Sequence, residues 1–266
     1  MQDSSAGNAV AVADTHVHLY GCFDWGRALD SLARGLGALA PGAARIGFLA
    51  EKAGVHALHE LLDGRSRRIP DGLRVDPCAD GSGAVLRGAR GAPLYLVGGR
   101  QVATSERIEI LVFGAQVDVP DGTPAESVVE RAWEAGGIAV LSWAPGKWTL
   151  GRRRVVKRVL SAFGPDHLLL ADTSLRAVGF PEPRLMRRAR ERGHAVLAGS
   201  DPLPFAGEEC RIGTYASLLH GAFDAERPVS SACALLRQGE PRTVGCRSPL
   251  PVVLSRLIRN AMVRTS

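Results

Sequence analysis

Apolar residues along this chain gather in short runs that close on glycine or a polar group. Between the runs lie longer stretches in which apolar positions recur every three or four residues. The runs fall at 9–17 (AVAVADTHV), 44–50 (ARIGFLA), 93–103 (PLYLVGGRQVA), 108–114 (IEILVFG), 137–143 (GIAVLSW), 167–172 (HLLLAD) and 194–201 (HAVLAGSD). Runs of this length bounded by turn residues predict strands buried on both faces, as parallel strands are. The alternation with helix-period stretches predicts repeated βα units around a parallel sheet, closed into a barrel.

The helical stretches carry their own punctuation. In 123–137 (TPAESVVERAWEAGG) Thr123 can cap, Pro124 suits the first helical position, Glu126 completes a capping box and Gly136 can terminate. The stretch 181–193 opens on proline and acid and closes on glycine. The segment 71–91 breaks the alternation with glycine and turn pairs, and predicts an inserted loop or hairpin. From about residue 208 onward the pattern predicts helices, with Ser230 or Ser231 as a cap and a last helix around PVVLSRLIRNAM. The whole of 1–266 is expected to form one domain, a length at which α/β barrels occur as single units.

Composition adds boundaries to this picture. Hydrophobic residues make up 45% and charged residues 23%, enough apolar material for a full core. The formal net charge is +6, and Lys52, Lys147 and Lys157 are the only lysines among the basic residues. Arginine clusters occur at 64–68, 151–158 and 184–192, with no aromatic residues interleaved, which argues for solvated helix faces and against a nucleic-acid partner. The same charge would suit a small anionic, phosphate-bearing substrate. Cys22, Cys78, Cys210, Cys233 and Cys246 form no CxxC pair and imply reduced thiols. No run has the length of a membrane span, and the first ten residues lack the features of a signal peptide, so a cytoplasmic location is expected and no membrane partner. The oligomeric state is left open.

The chemistry-bearing residues concentrate at the ends of the runs. Strand alternation would place Asp14, His16 and His18 of ADTHVHLYG on one face near a strand's C-terminal end, where barrel active sites collect. Two imidazoles at this spacing can hold one divalent ion through neutral nitrogens, while a carboxylate ligates or orients them. Other run ends offer Glu51, Arg100 with Gln101, Asp172, and Asp201 preceded by Ser200. Glu51 and Asp172 equally suit helix N-caps. The stretch 143–154 (WAPGKWTLGRRR) brings Lys147 and Arg152 to a flexible loop after a strand, and 201–216 brings Arg211 just past another. These are the expected anion-binding groups, together with Arg100 and Gln101; the same loops could instead be packed turns. The remaining histidines, His56, His59, His167, His194 and His220, fall where structural roles are expected.

DTHVHLYG resembles the opening HxH motif of the polymerase and histidinol phosphatase (PHP) family, metal-dependent phosphoesterases. The order of features is similar over roughly residues 10–205. The resemblance implies a distorted, TIM-like (β/α)7 barrel and a metal-dependent hydrolase. Three departures stand out: Ser142 or Trp143 where the family carries a histidine, Leu203 where its closing motif has one, and Gln101 where a bridging carboxylate is expected. What the resemblance leaves is a site of one or two divalent ions (zinc, manganese or iron), with His16, His18, Asp201, Glu51 and Asp172 as the ligand set. Asp201 or Asp14 would act as base. Two alternatives stay open: a barrel that has lost its metal and catalysis and binds a ligand or partner, and an amidohydrolase-like enzyme acting on an amide or lactone.

Overall fold

The computed structural model describes residues 10–64, 69–88 and 91–265. Arg65, Arg67 and Arg68 of the first arginine cluster lie outside them. The chain runs β1 (Ala11–Val17), α1 (Trp25–Leu39), β2 (Ala44–Leu49), α2 (Ala57–Asp63), β3 (Arg74–Pro77), β4 (Gly83–Arg87), β5 (Leu94–Val97) and β6 (Gly99–Ala103). It continues through β7 (Glu109–Phe113), α3 (Ala125–Glu134), β8 (Ile138–Ser142), α4 (Arg152–Ala162), β9 (Leu168–Thr173), α5 (Arg184–Glu191) and β10 (Val196–Gly199). After a 3₁₀ turn (Glu208–Arg211) come β11 (Tyr215–Leu219), α6 (Pro228–Arg237), β12 (Arg242–Gly245) and α7 (Leu250–Thr265).

The strands form two mixed sheets. One has the order β12-β11-β1-β2-β5-β4-β3 and the other β10-β9-β8-β7-β6. They meet at two seams without one continuous ladder. At the first, Glu51 N donates to Gly99 O (3.1 Å) and Gln101 N to Glu51 O (2.8 Å). At the second, Asp201 N donates to His16 O (3.0 Å), the Thr15 hydroxyl donates to Ala198 O (3.1 Å), and Ala198 N donates to Ser217 Oγ (2.8 Å). Side chains here replace part of a strand ladder, giving the Ala198 N–H and C=O their partners. Gly199 makes the second seam possible: a Cβ there would sit 2.5 Å from His16 N and 2.6 Å from His16 Cβ. The outcome is an α/β fold of two mixed sheets, not the closed ring of parallel strands that the pattern led one to expect.

Three layers of core hold it. Ala11, Ala13, Phe48, Leu111, Phe113, Val140 and Leu197 fill the space between the sheets, and α6 plugs it with Val229, Ala232 and Leu236. Helices α1 and α2 cover the outside of the first sheet, where Trp25, Leu29, Leu32 and Leu36 of α1 form its buried stripe. Helices α3, α4 and α5 cover the second.

Several expectations are corrected by tertiary partners. The run 93–103 is two strands, because its partners change at Gly98: β5 pairs with β2 and β4, β6 with β7. Strands β6–β7 and β7–β8 pair antiparallel. Tyr215–Leu219, expected to be helical, is a fully buried strand antiparallel to β1, since a short apolar run does not by itself discriminate helix from strand. Segment 74–87 is the antiparallel hairpin β3–β4. Caps come from afar: Glu106 accepts from Ala125 N at the start of α3 (3.1 Å), while Thr123 donates to Pro120 O instead of capping. Asp80 accepts from Val229 N (3.4 Å) and Ser230 N (2.7 Å) at the start of α6, the role expected of Ser230 or Ser231. These carboxylates satisfy otherwise orphaned N–H groups and face the positive end of each helix.

Candidate metal centre

β1 reaches the site through an irregularity. Its register with β2 runs Ala13–Ile46 and Asp14–Gly47, then shifts so that Val17 pairs with Leu49. Three steps on β1 match two on β2, a bulge that inserts one residue and turns later side chains to the opposite face. Val12 and Val17 both pack outward under α1 and α2, and Ala11 and Ala13 face inward. Asp14 is thereby separated from His16 and His18, which the simple alternation would have kept together. Its Oδ1 accepts from Ser200 N (2.8 Å) and His16 N (3.2 Å), and its Oδ2 from Gly213 N (2.8 Å). Full burial pushes its carboxyl up to about 6 despite these bonds. Asp14 is a tie between three backbone segments.

His16 and His18 lie beyond the bulge, both almost fully buried. Their Nε2 atoms are 3.1 Å apart, and Asp201 Oδ1 lies 3.6 Å from that of His16 and 3.7 Å from that of His18. Three ligand atoms thus converge on one point. A tetrahedral ion with bonds of about 2.1 Å needs ligand atoms about 3.4 Å apart, so the donor set and its spacing fit one divalent ion. Gln101 Oε1, 3.0 Å from His16 Nε2, is a fourth oxygen in the same place.

The rings are fixed from behind. Ser142 Oγ lies 3.5 Å from His16 Nδ1, His18 has a backbone hydrogen bond to Ala50, and His18 stacks on Tyr20 with ring centres 4.9 Å apart. Burial first, then the neighbouring His16 and Lys52, drives the His18 pKa well below its ordinary value. A neutral imidazole retains the lone pair that ligation requires. Burial raises the Asp201 carboxyl. Asp201 also has a left-handed backbone (φ +47°), a conformation that aspartate tolerates better than most residues and that aims its side chain back at β1.

Lys52 and Glu109 both act electrostatically on Asp201, and Lys147 Nζ is 2.9 Å from Glu109 Oε1. Lys52 Nζ also sits 5.0 Å from the centre of the Tyr20 ring. Glu109 was not legible as a site residue, because it begins β7 and sits at this end only because that strand runs antiparallel, opposite Ser142. Trp148 packs in the core and donates to Ser142 O (2.9 Å), which anchors the loop carrying Lys147.

The other expected residues are engaged elsewhere. Glu51 Oε1 accepts from Leu58 N (2.7 Å) at the start of α2, the cap role that was its alternative. Asp172 is bound by Arg176 (2.5 and 2.8 Å) and by the Tyr215 hydroxyl (2.7 Å). Arg100 pairs with Asp121, Arg152 reaches Arg107 O, and Arg211 pairs with Glu208. Of the expected ligands, the structure gathers His16, His18 and Asp201; of the expected binding groups, it adds Gln101, and it holds Lys147 against Glu109.

No family model and no curated protein matches the chain. Among solved structures it is similar to PsfC from Pseudomonas syringae PB-5123, with a TM-score of 0.59 at 16% identity, covering 95% of this chain and 98% of that one. It is also similar to the lesion-specific endonuclease Q of Pyrococcus furiosus (TM-score 0.47, 12% identity, 88% of this chain and 57% of that one). A complex of endonuclease Q with a 27-mer duplex bearing an abasic lesion at the active site gives 0.48, 11%, 92% and 66%.

What is shared with PsfC is the fold. The expectation that a nucleic-acid partner is unlikely is corrected: two of these three structures are of an endonuclease, one in complex with a duplex substrate.

Proposed function

We propose that the protein is a metal-dependent hydrolase whose reaction takes place at His16, His18 and Asp201, and that its substrate is a phosphoester. The observation that supports this reading most is the convergence of two imidazole nitrogens and one carboxylate oxygen at spacings of 3.1 to 3.7 Å. A divalent ion held by these three atoms supplies Lewis acidity at neutral pH, which makes water a competent nucleophile. Gln101 adds a neutral oxygen beside it, so the ligand set carries one negative charge and leaves the site net positive toward an anion. Lys52 adds cationic charge that acts on Asp201, and Glu109, paired with Lys147, offers the carboxylate that accepts a proton.

The test joins metal content to turnover. Protein purified without chelator or affinity-tag metal is analysed for zinc, manganese and iron, beside a His16→Ala/His18→Ala variant. Both are then assayed on a phosphomonoester, a phosphodiester and a duplex oligonucleotide. Near-stoichiometric metal and phosphoester cleavage, both absent in the variant, are expected. Wild-type protein that takes up none of these metals, or that cleaves amides or lactones in preference to phosphoesters, overturns the reading.

A further inference from the structure

α7 lies far along the chain from every site residue, yet one of its side chains ends beside the site. Arg256 is almost fully buried, as is its partner Glu208. Arg256 Nε is 3.0 Å from both Glu208 oxygens, and its Nη2 is 2.6 Å from Glu208 Oε2. Nη1 donates to Ser174 Oγ (3.2 Å) and Ser248 Oγ (3.3 Å), and Nη2 donates to the carbonyl of Asp201 (3.4 Å). Glu208 Oε2 accepts in turn from Leu203 N (3.0 Å), and Ser174 donates to Ser200 O (2.6 Å). Arg211 Nε reaches Glu208 Oε1 from the more exposed side (3.1 Å).

Three of these bonds end on residues 200–203, at Ser200 O, Asp201 O and Leu203 N, and the others tie their donors and acceptors together behind the segment that carries Asp201 in its left-handed conformation. Such a conformation persists only where the surroundings over-determine it. A buried ion pair is costly to desolvate and is a poor source of stability compared with well-packed apolar side chains. Its multiple hydrogen bonds make sense as geometric constraint. Ligand-supporting groups of this kind set metal affinity by holding the ligand atom in place.

We infer that Arg256, clamped by Glu208, is a positioning residue for Asp201, so that helix α7 sets the metal affinity of a site whose histidines lie at the end of β1. This rests on the proposed metal reading. Removing the guanidinium frees the Asp201 carbonyl and leaves the buried Glu208 with only Arg211 and Leu203 N, so the single change also threatens the fold. A double change, Arg256→Met with Glu208→Met, removes both charges together and separates the two effects.

The experiment titrates Co²⁺ into metal-depleted wild type, Arg256→Lys, Arg256→Met and the Arg256→Met/Glu208→Met variant, reading the visible absorption of the bound ion, with thermal melts on each. The double variant is expected to melt near the wild type yet bind Co²⁺ about 10- to 100-fold more weakly with an altered spectrum. Arg256→Lys, which keeps the charge but not the fork, should recover part of the affinity. A folded double variant with wild-type affinity and spectrum overturns the inference while leaving the metal reading intact. Wild type that binds no Co²⁺ overturns the metal reading; crystal structures of wild type and double variant then decide the positioning itself. Asp201 displaced from His16 in the variant supports it, and an unchanged Asp201 refutes it.

Discussion

Gly199→Ala tests the link between the seam and the site. The added Cβ would stand 2.5 Å from His16 N, 2.6 Å from His16 Cβ and 3.0 Å from His16 Cα. Ordinary carbon contacts lie near 3.5 to 4.0 Å, so β10 and β1 must part by about 1 Å. Two of these three atoms are main chain, so no rotamer change can absorb the clash. Overpacking of this sort costs about 1–3 kcal/mol, a shift of about 2–4 °C in Tm per kcal/mol for a chain somewhat smaller than this one. The functional consequence is larger than the loss of stability. Asp201 follows Gly199 by two residues and lies 3.6 Å from His16 Nε2. Ligand distances must hold to about 0.2 Å, so a displacement of about 1 Å takes Asp201 out of reach. Urea denaturation should show a folded but less stable protein, and a Co²⁺ or Zn²⁺ titration should show binding weakened at least as much as by loss of a supporting group, about 10-fold or more. A variant as stable as the wild type that binds metal equally well would show that the two strands can part at no cost, and the argument for a glycine-dependent seam would fail.

Three further outcomes follow from particular groups. A metal held only by the folded state stabilises it by about 2.7 kcal/mol at a concentration of 100 Kd, so a chelator should lower Tm in the wild type and leave a His16→Ala/His18→Ala variant unmoved; equal melts with and without chelator in the wild type count against the site. Tyr215→Phe removes a hydroxyl that donates to the buried Asp172 (2.7 Å) and should cost about 1.5–3 kcal/mol in chemical denaturation while sparing metal uptake, because Arg176 still holds the carboxylate; no loss of stability would refute it. Burial holds the His194 pKa below its ordinary 6.5, even though the Leu168 carbonyl accepts a hydrogen bond from its Nδ1. Its contribution to stability is therefore complete above about pH 6.5 and is lost as pH falls toward the lower folded value. An NMR titration of the ring should place its midpoint below 6.5, and a midpoint above 6.5 would reverse the sign.

Much of the molecule could be read from local pattern because local pattern is what burial leaves in a sequence. The run AVAVADTHV had to be a strand buried on both faces, the helix-period stretches had to cover a sheet, and an HxH pair at a strand end had few uses as economical as holding a metal. Asp201 was legible too, since GSDP stops an apolar run on a carboxylate. What pattern could not reveal are relations between distant segments. Alternation put Asp14 with the histidines, and a bulge, set by the pairing of β1 with β2, turned it away to bind Ser200 and Gly213. The capping box at Thr123 and Glu126 looked complete, but Glu106 reached the helix first. Glu109 entered the site through the direction of a strand, and Arg256 approached it through a helix near the end of the chain. Hydrophobic period is a property of neighbours along the chain, whereas register, strand direction and the sharing of hydrogen bonds depend on which surfaces meet. The donor types that could hold a metal were therefore written in residues 14–18 and 201, and the choice of which of those side chains face one another was made only when the two sheets came together.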